Sequence, residues 1–332
     1  MNIRTPRELK SFASERLAAA RDQKRIVLIY SGVILGMSAL VTVLSYVLGL
    51  QIDQLGGLSH LSTRKILSSV QSMLPIAQSL VTMCLNVGFL AAMLRVARGQ
   101  YVSPQTLRLG FDRFWVLLRC TVVKALMYTA VAVVGIYAGM MIFMMTPLSG
   151  SAVELLTPYL SDASILNSGI VLEDAVYDQL MLSLIPAYGI CGLIICVAAV
   201  PMMYSYRMAN YVIIDRPAMG AMAALRESKK MMRGNRMAMF KLDLSMWWYY
   251  GALFVATLVC YGDMILPLFG VTLPGHEDIW YFVFFAVYLV LTFGIYYTML
   301  NRVEVTYGLA YDAVKPEEKQ DNSVVLGNIF QM

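Results

Sequence analysis

Residues 26–50 read IVLIYSGVILGMSALVTVLSYVLGL, and none of them carries a charge. A helix needs roughly 20 apolar residues to cross the hydrocarbon of a bilayer, so this stretch reads as a membrane helix. Five more stretches follow, at about 70–94, 115–146, 179–205, 245–270 and 279–300. The composition agrees. Apolar residues are 59% of the 332 and charged ones 14%, with mean hydropathy +0.65. A soluble domain carries about 25% charged residues. The expected fold class is all-α: a polytopic membrane protein of six transmembrane helices.

The connections alternate in charge. Seven Lys and Arg residues precede the first stretch, six lie at 95–124, eight at 207–241 and three after Asn301. These 24 of the 26 share one side, and the other side holds only Arg64 and Lys65. Nine acidic residues, including Asp53, Glu154, Asp174 and Asp263, sit in the basic-poor connections. Positive-inside bias then places both termini in the cytoplasm, and the membrane is expected to be a bacterial plasma (inner) membrane. Nucleic acid is not needed to explain a net charge of +5, because a basic face beside anionic lipid accounts for it. The first apolar stretch ends in Leu48-Gly-Leu-Gln51 without a small-x-small cleavage pattern, so it is expected to be retained. All five cysteines, Cys84, Cys120, Cys191, Cys196 and Cys260, lie in apolar stretches and read as packing residues.

Three prolines mark similar beginnings: Thr5-Pro6, Ser103-Pro104 and Arg216-Pro217. Proline suits the first turn of a helix, where its missing N–H costs nothing, and Thr5 and Ser103 can cap. Apolar residues then recur at helical spacing: Leu9, Ala13, Leu17 and Ala20 flanked by Phe12; Leu107, Phe111, Phe114 and Leu118; Ala221, Leu225 and Met232. Each set predicts a cytoplasmic amphipathic helix. Arg226, Lys229, Lys230, Arg233 and Arg236 on or after the third are candidate contacts for anionic lipid. The chain thus divides into repeat units at about 1–99, 100–214 and 215–314, one membrane domain over 1–314, with a flexible tail at 315–332. Gly32-x-x-x-Gly36 and Gly135-x-x-x-Gly139 are candidate helix-packing positions. Gly234-Asn235 is the expected break after the third amphipathic helix. Pro75, Pro186 and Pro201 are expected to kink the even-numbered helices. The 147–178 connection is expected to carry short helices near Val153–Leu160 and Leu172–Leu180.

One region resembles a known family. Arg207-Met-Ala-Asn-Tyr-Val-Ile-Ile-Asp-Arg-Pro217, Ala224-Leu-Arg-Glu-Ser-Lys-Lys-Met-Met-Arg-Gly-Asn235 and Met239-Phe-Lys-Leu-Asp-Leu-Ser245 are similar to the signature of the bacterial family called domain-of-unknown-function 975. Arg7-Glu-Leu-Lys10 and Gly110-Phe111 fit it too. The likeness covers about 1–270 and is specific over about 204–245. The chain departs at Pro201-Met202, where the family has Pro-Gly. It departs again at Met246-Trp247-Trp248, where the family has an apolar residue, Gly and Trp. The resemblance implies a topology and no activity.

No catalytic, cofactor-binding or metal-ligating set is visible. The two histidines, His60 and His276, lie in basic-poor loops. No HExxH, Walker loop, GxGxxG or GxSxG is present. Candidate polar residues near membrane depth are Asn86, Arg119, Lys124, Arg207, Asn210 and Asp243. Two readings stay open: snorkelling at the interface, or a cytoplasm-facing polar vestibule in which Asp243 pairs with Arg207, Arg119 or Lys124. Tyrosines and tryptophans at 204–211, 247–250 and 296–311 read as an aromatic belt. The expected function is non-enzymatic: a lipid-interacting scaffold or accessory subunit of a membrane complex, with lipids as partners. The alternative is a small permease with a path past Asn86, lined by kinked even-numbered helices.

Overall fold

The computed structural model describes residues 5–20, 22–55, 61–161, 174–271, 274 and 277–315. His60, His276 and the tail beyond 315 lie outside the described residues. Every regular element among the described residues is helical.

Helix α1 (Pro6–Ala19) begins as expected, with Pro6 in its first turn and the Glu8 N–H donating to Thr5 Oγ1 at 3.4 Å. Helices α2 (Gln23–Gln54) and α3 (Leu61–Ala97) follow. A 3-10 turn (Pro104–Arg108) and the single-turn α4 (Leu109–Asp112) then stand where the apolar spacing predicts one amphipathic helix. Close docking on α3 explains the difference. A Cβ at Gly110 would lie 1.8 Å from the Cys84 carbonyl oxygen, and one at Gly88 would lie 2.1 Å from that of Leu107. Backbone meets backbone there, which a regular helix with side chains all round does not allow.

Helix α5 (Phe114–Met145) leads to a 3-10 turn (Pro147–Ser149), then α6 (Gly150–Ser161) and α7 (Asp174–Ser183). These two overlap the short helices expected in that connection. Helix α8 (Ile185–Tyr206) carries Pro186 in its first turn, so Pro186 starts a helix rather than kinking one. Pro201 lies inside α8, as Pro75 does inside α3. Then come α9 (Ala209–Asp215) and α10 (Ala221–Met231). The latter starts four residues after Pro217, with Gly220 as its N-cap. Gly234, at φ 88°, turns the chain into α11 (Arg236–Ser245), the expected break. The last elements are α12 (Trp247–Cys260), α13 (Gly262–Leu268) and α14 (Glu277–Ile295), then a π-helical turn (Tyr296–Leu300) and α15 (Asn301–Val314).

Five helical segments among the described residues are long and apolar enough to cross a membrane: Gln23–Gln54, Ser62–Ala97, Phe114–Met145, Ile185–Asp215 and Ile279–Val314. A sixth exists only if α11 and α12, bent by 61° at Met246, count as one. Their outward side chains are large and apolar, with Leu40, Val134, Leu193 and Val290 all more than three-fifths exposed. That is the surface a polytopic membrane protein presents to lipid.

The bend has a local cause. In a continuous helix the Ser245 carbonyl would accept the Tyr249 N–H. Here the Tyr249 N–H bonds the Met246 carbonyl at 3.0 Å instead. The freed Ser245 carbonyl accepts a hydrogen bond from Lys10 Nζ of α1.

The chain forms two compact units, residues 1–118 with 208–332, and residues 119–207. This division does not follow the repeat boundaries near 99 and 214. In the first unit α3 packs against α2, α4 and α15, and α1 lies on α15. Leu9, Ala13 and Leu17 are buried, so the apolar face of α1 meets protein. Helix α15 is buried nearly all round, including Val303, Val305, Thr306, Tyr307, Ala310 and Tyr311. In the second unit Phe143, Ala152, Leu180 and Ala187 make a small core.

The two GxxxG pairs are not equivalent. A Cβ at Gly135 would lie 2.5 Å from Ile195 Cγ1, and one at Gly139 would lie 2.5 Å from Cys191 Sγ. Both glycines therefore let α5 and α8 approach closely. Gly32 and Gly36 have no atom within 4 Å of such a Cβ. Among the described residues no neighbouring helix comes that close at either position.

Candidate functional site: a polar stripe on α3 and the carboxylates around α15

Residues 75, 78, 79, 82, 83 and 86 recur at helical spacing and share one face of α3. In the fold Pro75, Gln78, Ser79, Thr82, Met83 and Asn86 line a cavity of about 380 Å³ together with Asn210. The lining carries amides and hydroxyls but no ionised group. Asn86 is exposed to the cavity, and its Oδ1 accepts a hydrogen bond from Tyr30 OH of α2. Tyr30 is held in place by stacking on Phe89, ring centroids 4.2 Å apart. The close docking of Gly110 and Gly88 fixes the same stretch of α3. Amides at this depth in an apolar helix need water, protein or ligand as partner.

Farther along, α15 presents a ladder of polar groups. Tyr211 OH donates to Glu304 at 3.3 Å. Tyr307 OH donates to Asp243 Oδ1 at 2.7 Å, and the Tyr250 and Tyr307 hydroxyls lie 2.6 Å apart. A hydroxyl has one proton, so with Tyr307 donating to Asp243, Tyr250 donates to Tyr307. Tyr311 stacks on Tyr211 at 5.3 Å and donates to Asp215 Oδ2 at 3.1 Å.

The ladder ends in an ionic cluster. Arg98, just past the end of α3, grips Asp312 through two hydrogen bonds of 2.6 and 3.0 Å. It also reaches Asp215 Oδ1 at 2.8 Å, and Lys315 Nζ holds Asp215 Oδ2 at 2.6 Å. The Asp215 side chain is only 8% exposed. A carboxylate so enclosed is stable only when paired, and here two cations and a phenol surround it. Asp312 above all, with Asp215 adding to it, holds the Arg98 guanidinium above its ordinary pKa, against the opposing effect of burial. Lys10, which bonds the Ser245 carbonyl, is held below its ordinary value by burial, with Arg302 adding to it.

Of the polar residues picked out in the sequence, the structure brings Asn86 and Asn210 to one cavity. Asp243 bonds Tyr307. Arg119, Lys124 and Arg207 belong to the second unit, where Arg207 lies over the Tyr204 ring at 5.6 Å. Arg226, Lys229, Lys230 and Arg233 are exposed, and Arg236 is half-buried. Arg98, Asp312 and Lys315 escape the sequence reading, since each is one charge among many at a helix end. The aromatic-belt reading is corrected in part. Tyr211, Tyr249, Tyr307 and Tyr311 are buried in the first unit, where α9 and α12 meet α15, and Tyr204 is buried at the end of α8 in the second unit. Among the described residues no three His, Cys, Asp or Glu are grouped to hold a metal.

The model of the family described as "Protein of unknown function (DUF975)" matches residues 1–315. The chain belongs to the DUF975 family. No curated protein and no solved structure matches it. The match runs through every polar group named above, so both the α3 stripe and the ionic cluster lie within the DUF975 region.

Proposed function

We propose that this DUF975 protein is a non-enzymatic, multi-pass protein of the bacterial plasma membrane. It acts as a scaffold or accessory subunit that holds anionic lipid at its cytoplasmic face. One observation carries this reading: the two-sided character of α10. Ala221, Ala224, Leu225, Ser228 and Met231 are buried on one side, while Arg226, Lys229 and Lys230 stand exposed on the other, followed by exposed Arg233. A helix docked by its apolar face holds its cations outward at fixed spacing, where anionic headgroups bring about 1 kcal/mol per charge. The test is lipid co-purification in mild detergent. Arg226, Lys229, Lys230 and Arg233 changed together to Gln should cut retained phosphatidylglycerol several-fold relative to phosphatidylethanolamine. An unchanged ratio refutes the reading.

The cavity favours a second reading, a small permease. Gln78, Ser79, Thr82 and Asn86 form a polar stripe on a spanning helix, as a hydrated path requires. Ser79→Cys and Thr82→Cys, in a chain whose native cysteines are changed to Ser or Ala, test it with a charged maleimide. Labelling in permeabilised membranes supports a water path. Inert thiols at both positions refute it.

A further inference from the structure

A second cavity, of about 650 Å³, opens among three segments of the first unit. Arg16 lines it from the end of α1, Asp22 and Gln23 from the start of α2, and Gly99, Gln100 and Tyr101 from just beyond α3. Its volume falls within the roughly 300–1,000 Å³ of small-molecule sites.

The walls are fixed. Gly99, at φ 72°, makes the turn that stops α3, and the Gln100 N–H donates to the Arg95 carbonyl at 2.9 Å across it. The Arg16 guanidinium rests against that glycine, since a Cβ there would lie 2.7 Å from Arg16 Nη1. Gln23 is engaged within the fold. Its Nε2 donates to the Leu17 carbonyl, and its Oε1 accepts from Asn301 at 3.1 Å.

Two opposite charges in the cavity stand unengaged. Asp22 is the N-cap of α2, where an Asp carboxylate ordinarily accepts an amide N–H of the first turn, yet it makes no such bond. Among the described residues neither the half-buried Asp22 nor Arg16 has a side-chain hydrogen bond or an ion pair, with each other or with any third group. The remaining lining residues are uncharged. A purely anionic ligand would face Asp22, and a purely cationic one would face Arg16. A ligand that carries both an anionic group and an ammonium is matched at both.

Depth points to the source of such a ligand. Gln23 is the first residue of one segment able to cross a membrane, and Ala97 is the last residue of the next. The cavity therefore lies where both segments would leave the hydrocarbon, at the level of lipid headgroups. Tyr101 at its mouth, 80% exposed, is the kind of amphipathic ring that favours this level.

We propose that this cavity binds the zwitterionic headgroup of an aminophospholipid, with the phosphate on Arg16 and the ammonium on Asp22. The site is separate from the cations of α10 and does not depend on them. A soluble ester of phosphate and ethanolamine carries the same two groups, and the depth of the cavity assigns it to the lipid.

The full chain in mild detergent is titrated with phosphatidylethanolamine or phosphatidylcholine of identical acyl chains, and bound lipid is measured by native mass spectrometry. The wild type should hold phosphatidylethanolamine several-fold more tightly, because the trimethylated nitrogen of phosphatidylcholine has no proton to donate to a carboxylate. Asp22→Asn should bring the two lipids level, and Arg16→Gln should weaken both. Equal binding of the two lipids by the wild type overturns the proposal without any variant having to fold. An unchanged preference in Asp22→Asn, or undiminished binding of phosphatidylethanolamine in Arg16→Gln, overturns it as well. Glycerophosphoethanolamine, the same headgroup without acyl chains, separates the two sources. In large molar excess it should leave the bound lipid in place, and displacement would assign the cavity to a soluble ester and overturn the lipid site.

Discussion

Arg98 and Asp312, 214 residues apart in sequence, are joined by two parallel hydrogen bonds of 2.6 and 3.0 Å. The pair ties the end of α3 to the end of α15, and Asp215 on the same guanidinium adds α9. Arg98→Ala leaves two neighbouring carboxylates with one cation, Lys315, between them. The expected loss is about 3 kcal/mol. Arg98→Lys should recover part of it, because one ammonium cannot reproduce the two-pronged contact. Thermal unfolding in detergent checks both. Equal melting of Arg98→Ala and wild type would remove the cluster from the account of stability.

Tyr307 bridges Asp243 and Tyr250 inside the first unit. Tyr307→Phe keeps the ring and removes the bridge, taking one donor from Asp243. The cost should be about 1–3 kcal/mol, and Tyr250→Phe should cost less because Tyr250 is 42% exposed. Comparison of the two melting temperatures checks the order.

Gly110→Ala should be among the most damaging single changes, since its Cβ would fall 1.8 Å from the Cys84 carbonyl oxygen. Backbone on both sides must move, which costs about 1–3 kcal/mol or more. Gly32→Ala in open space should be neutral or stabilise by up to about 1 kcal/mol, from helix propensity. Expression yield and melting temperature separate the two.

Lys10→Met removes the donor that holds the Ser245 carbonyl. A loss of about 1–3 kcal/mol is expected. The pH dependence has a definite sign. Burial holds the Lys10 ammonium below its ordinary 10.5, so the unfolded chain binds this proton more tightly than the folded one. Stability from this group therefore rises with pH between the folded value and 10.5. The gap between wild type and Lys10→Met should widen as pH approaches 10.5 from below. A gap that narrows would reverse the assignment.

The uncharged run at 26–50 was readable as a helix because length alone decides whether it can cross a bilayer, and α2 spans it on both sides. Thr5-Pro6 and Gly234 were readable for a similar reason. A cap or a left-handed turn depends on the backbone of its own residues. The bend at Met246, where the fifth apolar stretch begins, was not readable. The Ser245 carbonyl freed there is met by Lys10, 235 positions away. Likewise Asn301, Arg302 and Glu304 look like the polar end of the sixth helix. In the fold the helix runs on through Val314, because Gln23 and Tyr211 meet Asn301 and Glu304 with hydrogen bonds. Within the site, Asn86 stood out as an asparagine deep in the second apolar stretch, whereas the Tyr30 that bonds it did not.

By itself the sequence determined that this is an all-helical chain with several segments able to cross a membrane, where its charges collect and which family it resembles. Those properties follow from run length, composition and local backbone preference, which act within a few turns of helix. Tertiary structure alone decided that α15 is a buried strut, that five tyrosines are core and that Arg98 meets Asp215 and Asp312. It also decided that α11 turns away from α12. Each of those outcomes is a partner satisfied across a long separation in sequence, and no local pattern records which distant group will arrive.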